Sequence, residues 1–78
     1  MSKSVAAIFS EVLKVPESSI TDETSPENTP AWDSLTAIDL VNALEEAFSI
    51  RLSTKEILSM RTVGIVRKVL KGKGVQEA

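Results

Sequence analysis

The sequence predicts an all-α fold, a small four-helix bundle with a long first loop and a short third helix. Three observations carry that expectation. Apolar residues recur at intervals of three and four in separate segments, and helix-starting side chains stand just before several of them. A stretch rich in Pro, Ser, Thr and acids divides the first such segment from the second. The chain has 78 residues, 42% hydrophobic and 26% charged, which suits one globular domain over 1–78. Ordered helical structure is expected over about 3–71, with 72–78 as a flexible tail.

The first helix is expected from Lys3 to Lys14, with Val5, Ile8, Phe9, Val12 and Leu13 on one face and Ser10, Glu11 and Lys14 on the other. Pro16 ends it, because proline lacks the N–H and pushes the preceding residue out of helical dihedrals. From Val15 to Trp32 the chain reads VPESSITDETSPENTPAW. A connection of about eighteen residues is long for a compact domain, so Ile20 and Trp32 are assigned as anchors that pin an ordered loop across the core.

Asp33 is the expected N-cap of a second helix that runs to about Phe48, with Leu35, Ile38, Val41, Leu44 and Phe48 as its apolar stripe. Ser53 and Glu56 form an S-x-x-E capping box opening a third helix of barely two turns, through about Met60. Thr62 caps the fourth, where Val63, Val66, Val69 and Leu70 repeat at three and four. Arg67, Lys68 and Lys71 complement the negative end of its dipole. Gly72 and Gly74 stop that helix.

The residue types that are missing narrow the chemistry. Without Cys there is neither disulfide nor thiolate, and without His the usual general base and metal ligand is lacking. Self-contained catalysis and a metal site are therefore not expected. A chain this short buries only about 60% of its extended surface, too little for a deep cleft. No apolar stretch is long enough to span a bilayer and Met1-Ser2-Lys3 opens no signal-peptide core, so a cytoplasmic protein with no membrane partner is expected.

Charge is divided unevenly. Residues 1–50 hold two lysines against nine carboxylates, a balance of −7, and residues 51–78 hold seven cations against two carboxylates, +5, for a net −2. Such polarity favours oriented docking on charged partners. The basic cluster Arg67, Lys68, Lys71 and Lys73 has no interleaved aromatics, so no nucleic-acid partner is expected.

Trp32-Asp33-Ser34-Leu35 sets a hydroxyl in the first turn of a helix. Unpaired backbone N–H groups and the positive dipole end at such a turn favour an anion, including a phosphodiester attached to Ser34. Leu35 is expected to turn into the core, leaving the Ser34 hydroxyl facing solvent and open to a modifying enzyme. Trp32 is taken as a loop anchor rather than a stacking platform. A serine-hydrolase role fails, since the chain has no His to activate Ser34 and no lysine near it in sequence.

Continued as DSLTAIDLVNALEEAFSIRL, this segment resembles the signature of acyl carrier proteins. The resemblance covers nearly the whole chain, because Ile20, the loop length up to Ser34, L-E-E-x-F at Leu44 to Phe48 and the T-V pair at Thr62 fall at family spacing. It implies that Ser34 bears 4'-phosphopantetheine from coenzyme A, attached in trans by a phosphopantetheinyl transferase that Asp33 helps engage. The arm's thiol would carry acyl or aminoacyl groups as thioesters. An acyl- or aminoacyl-loading ligase or synthetase would charge it, and transferases or synthases of fatty-acid, polyketide or other specialised biosynthesis would take the cargo. The resemblance also implies that Leu35, Ile38, Asp39, Glu45, Glu46 and Met60 meet the basic docking faces of partners. The protein would then be a monomeric carrier, a substrate of enzymes rather than an enzyme.

Departures from the family pattern point toward dedicated cargo. Ala31-Trp32 stand where members serving fatty-acid synthesis usually begin with Gly, and Pro26 and Pro30 replace loop hydrophobics. Thr36 and Asn42 replace an acid and an apolar residue on the second helix, and Lys55 reduces the acidity of the third. A W-D-S start resembles stand-alone carriers of specialised pathways and D-alanyl carrier proteins. Alternatives are an aminoacyl or peptidyl carrier of the D-alanyl type, an interaction module without a prosthetic group, and a degenerate carrier fold held in a larger assembly.

Overall fold

Each helix begins on a side chain that accepts hydrogen bonds from the backbone of its own first turn. A computed structural model describes residues 4–75, which are helical and without strands: α1 (Val5–Leu13), α2 (Ser34–Phe48), α3 (Thr54–Ser59) and α4 (Val63–Gly72). Ser4 accepts from Ala7 N–H at 3.1 Å, Ser53 from Glu56 N–H at 3.1 Å and Thr62 from Ile65 N–H at 3.1 Å. The Glu56 carboxylate returns the favour at α3 by accepting from Ser53 N–H at 2.8 Å, closing the capping box. Because Ser4 is the cap, α1 starts at Val5 rather than Lys3; Lys3 lies outside the described residues.

α1 packs on α2, and Val5, Phe9, Leu40, Leu44, Val63, Val66 and Leu70 make the fully buried centre. The expected stripe on α2 is half wrong. Leu35 is 75% exposed and Ile38 59%, while Leu40 takes the core position with Ala37 and Val41 beside it. Steps of three residues fall about 60° short of a full turn, so three such steps carry Leu35 about 180° away from Leu44. Leu35 therefore does not turn into the core; it shares the solvent side with Ser34.

The long first connection is ordered by its own polar groups as well as by its anchors. Ile20 and Trp32 are buried, and the Trp32 ring meets Phe9 edge-on with centroids 5.1 Å apart. A 3₁₀ turn at Glu17–Ser19 follows Pro16. Thr24 and Ser25, polar yet buried, are satisfied locally: Thr24 Oγ1 accepts from Thr21 N–H at 2.9 Å, and Ser25 N–H donates to Asn28 Oδ1 at 3.0 Å.

The same loop caps α4. Val63 N–H donates to the Thr24 carbonyl and Gly64 N–H to the Asp22 carbonyl, both at 3.0 Å. A Cβ at Gly64 would lie 3.2 Å from that Asp22 oxygen, so glycine is what permits the close approach. Arg67 Nε also lies 3.1 Å from Asp22 Oδ1, although its N–H is not aimed to form a hydrogen bond. The contact is Coulombic and half exposed, a modest addition to the two backbone bonds.

Residues 72–75 of the expected tail belong to the fold. Gly74, at φ 87°, reverses the chain; its N–H bonds Lys71 O and Val75 N–H bonds Leu70 O, both at 3.0 Å. This 5→2 and 6→1 pairing is a Schellman end, and it buries Val75 against the core. Residues 76–78 lie outside the described residues. Lys73 reaches Glu56 at 2.9 Å and ties the end of α4 to α3. Among the described residues no helix is long and apolar enough to cross a membrane.

Candidate functional site

Ser34 is the first residue of α2, and the turn that carries it is held from both sides. Upstream, Trp32 is sunk into the core and its N–H bonds Thr29 O at 2.9 Å. Downstream, Asp33 Oδ1 accepts from Leu35 N–H at 2.9 Å and from Thr36 N–H at 3.0 Å. Thr36 reciprocates: its hydroxyl accepts from Asp33 N–H at 2.8 Å and donates to the Ala31 carbonyl at 2.7 Å. A polar side chain at N3 thus joins the cap to the loop before it.

Between these restraints Ser34 is exposed, and its hydroxyl makes no hydrogen bond among the described residues. A fixed backbone with a free, outward hydroxyl is what a modifying enzyme needs. The expectation of unpaired N–H groups at this turn holds only for Ser34's own N–H, which makes no bond among the described residues. The Asp33 carboxylate already occupies the N–H groups of Leu35 and Thr36. A phosphodiester on Ser34 would therefore project outward from a capped helix end, still within the favourable field of the dipole.

Asp33 is exposed, and its carboxyl is held below the usual carboxylate range. The Thr36 backbone N–H contributes most to this; desolvation opposes it in second place, and the Leu35 N–H and then the Thr36 hydroxyl add further lowering. The group is thus ionised at neutral pH. Only its Oδ1 serves the cap, which leaves Oδ2 presented to solvent one residue from Ser34.

The six residues assigned to docking divide in the structure. Leu35, Ile38, Asp39 and Glu46 are exposed together on the outward face of α2. Glu45 is only half exposed and turns its Oε2 to Leu52 N–H at 2.8 Å, tying α2 to the segment before α3. Met60 is half-buried and packs with Ile57 of α3 against Ala37 and Val41 of α2. These side chains, with Phe9, Trp32 and Leu40, line an apolar cavity of about 30 Å³, room for hardly more than a water molecule.

Two residues of the site were not singled out from sequence. In sequence Thr36 stands out only as a departure from the family pattern, yet it completes the cap; the D-x-x-T spacing of a reciprocal box is the readable signal. Leu58 is 73% exposed on α3. Ile57 and Leu58 are adjacent and about 100° apart on α3, and it is Ile57 that packs against the core while Leu58 is left outward.

A family model for the phosphopantetheine attachment site matches residues 3–66. The chain is 35% identical over 69 residues to an acyl carrier protein of Prochlorococcus marinus, covering 88% of this chain and 86% of that one. It is 35% identical over 60 residues to an acyl carrier protein of Acidothermus cellulolyticus, covering 77% and 71%. Among solved structures, one from Mycobacterium tuberculosis, named as a candidate acyl carrier protein, superposes with a TM-score of 0.78 at 25% identity, over 88% of this chain and 92% of that one.

Proposed function

The chain belongs to the acyl carrier protein family, whose members carry covalently attached 4'-phosphopantetheine and are not themselves enzymes, and on that premise we propose that Ser34 is the attachment point. The observation that carries this reading is the exposed, unbonded Ser34 hydroxyl on a turn clamped by Trp32, Asp33 and Thr36. The residues fit the group: the hydroxyl is reachable, the helix dipole favours an anion, and Asp33, Ser34 and Leu35 are all exposed.

The chain's part in loading is to present an oxygen. Ser34 Oγ forms a bond to the pantetheine-side phosphorus of coenzyme A as the phosphoanhydride breaks. Adenosine bisphosphate leaves with the bonding electrons, and the serine proton passes to a base of the transferase. Asp33 Oδ1 keeps the helix start rigid during this exchange, and Oδ2 offers the transferase a charged handle. Once attached, the arm supplies the thiol that this Cys-free chain lacks, and with it thioester carriage of acyl or aminoacyl cargo.

Intact mass measures this directly. Wild-type protein incubated with coenzyme A and a promiscuous phosphopantetheinyl transferase gains one pantetheine arm, and Ser34→Ala gains none. A wild type that gains nothing would falsify the proposal.

Specialised cargo is the finer part of the reading. The small cavity between α2 and α3 supports short acyl or aminoacyl groups held outside the bundle, because a longer chain must displace Ile57 and Met60. Loading the holo-protein with alanyl cargo leaves the methyl resonances of Ile57 and Met60 unmoved, whereas an octanoyl chain that entered the core would shift both.

A further inference from the structure

We propose that the surface bordering the α2–α3 crevice is bipolar and fits a partner enzyme whose face is bipolar in the opposite sense: cations toward α2, anions toward the flanks of α3, and an apolar recess between. This deepens the carrier reading above and rests on it.

Free charge around the crevice is sorted by helix. On α2 the exposed carboxylates are Asp39 and Glu46, with Asp33 at its start, while Glu45 is turned inward onto Leu52 N–H. On and beside α3 the exposed charges are Arg51, Lys55 and Arg61. The acid of that helix, Glu56, is committed to Ser53 N–H at 2.8 Å and to Lys73 at 2.9 Å. The charges of the α3 segment that remain available to a partner are thus all positive. Opposite signs lie on two helices whose inner faces meet through Ala37, Val41, Ile57 and Met60.

Between the two signs lies the exposed apolar surface. Leu35 at 75%, Ile38 at 59% and Leu58 at 73% are the large hydrophobics most exposed among the described residues, and all three sit on the helices that form the crevice. A small protein gains nothing for its own stability from leucines left in water; their apolar area is stabilising only once a partner covers it. A uniformly cationic partner would place like charges on Lys55 and Arg61, which costs affinity and excludes it. A second copy of this chain is charge-complementary too, but seating it over Leu35 would cover the adjacent Ser34, which must stay reachable.

The test uses full-length protein pantetheinylated at Ser34, with the mass gain verified first. Lys55→Glu with Arg61→Glu changes two exposed side chains, and circular dichroism checks that helix content is kept. With the loading ligase of its own host, kcat/KM for the double variant falls roughly tenfold at low salt and recovers toward parity as salt is raised. With a fatty-acid synthase component whose docking face is uniformly cationic, the same variant is used better than wild type. That reversal of sign is something a merely structural role would not produce. An unchanged or improved rate with the host ligase, or the same direction with both enzymes, overturns the proposal. So does a concentration-dependent dimer in sedimentation velocity that the double variant abolishes, since the face would then belong to a second copy. No mass gain in the wild type removes the carrier reading and this proposal together, whereas a mass gain with a flat charge response removes this proposal alone.

Discussion

The inward and outward faces of α2 are built from the same kind of residue and put to opposite uses. Inward, Leu40 is 1% exposed and Leu44 is fully buried; outward, Leu35 is 75% exposed and Ile38 59%. Burial of the first pair stabilises the monomer. The second pair contributes almost nothing to it; under the proposal above, its role is association. Apolar character alone does not tell core from interface; angular position on the helix does.

Truncation separates the two faces, and this is the largest effect expected. Leu44→Ala leaves a void in a centre packed by Phe9, Val66 and Leu70, and should cost about 2–5 kcal/mol. Leu35→Ala removes a side chain that already stands in water and should stay within about 0.5 kcal/mol. Urea denaturation of both variants gives the comparison. A Leu35→Ala loss approaching that of Leu44→Ala would mean that the outward face is part of the core after all.

The contrast also explains what sequence could and could not show. Helix starts at Asp33, Ser53 and Thr62 were legible because a cap is local chemistry, a side-chain oxygen reaching N–H groups two or three residues on. Ser34 was legible for the same reason, as a position in a turn. The facing of Leu35 was legible only through angle: it lies about 180° from Leu44, so the two cannot share a face, but which face is covered is decided by the packing of α1 and the loop. Burial of Thr24 and Ser25 depends on carbonyls that reach α4 across about forty residues of sequence, a pairing with no local pattern. Gly72 and Gly74 are both readable as stops, but that the reversal at Gly74 folds Val75 back onto the core rather than releasing a tail depends on packing.

Thr36 lies at the junction of the two faces and sharpens the comparison. Its hydroxyl links Asp33 N–H to the Ala31 carbonyl, so Thr36→Val keeps the shape and removes both bonds. About 1 kcal/mol of stability should be lost, intermediate between the two leucine variants. The loss should be accompanied by slower pantetheinylation of Ser34, because the turn presenting the hydroxyl is no longer fixed. Single-turnover modification followed by intact mass reads the rate. A slowed rate with unchanged stability would make Thr36 a contact of the transferase rather than a support of the turn.

The smallest effect comes from acid, and it falls on the outward end of α2. The Asp33 carboxyl is held below its ordinary value chiefly by the Thr36 N–H, and Glu56 is held down chiefly by the Ser53 N–H and then by Lys73. A carboxylate with a lowered folded-state pKa binds fewer protons when folded than when unfolded. Its contribution is therefore complete above the unfolded value, near pH 4 to 5, and drains away as pH falls through the lower folded value. Asp33→Asn preserves a capping oxygen while removing the charge, so wild type should be the more stable at pH 7. Thermal melts of both proteins between pH 7 and pH 3 should show that difference narrowing only below about pH 4. Glu56→Gln should behave alike, with added salt dependence at neutral pH from the partly exposed Lys73 pair. A gap that stayed constant down to pH 3 would show that the Asp33 charge contributes nothing beyond the geometry of its oxygen. The end of α2 would then be held by hydrogen bonds alone, leaving the ionised Asp33 wholly available to the transferase proposed to modify Ser34.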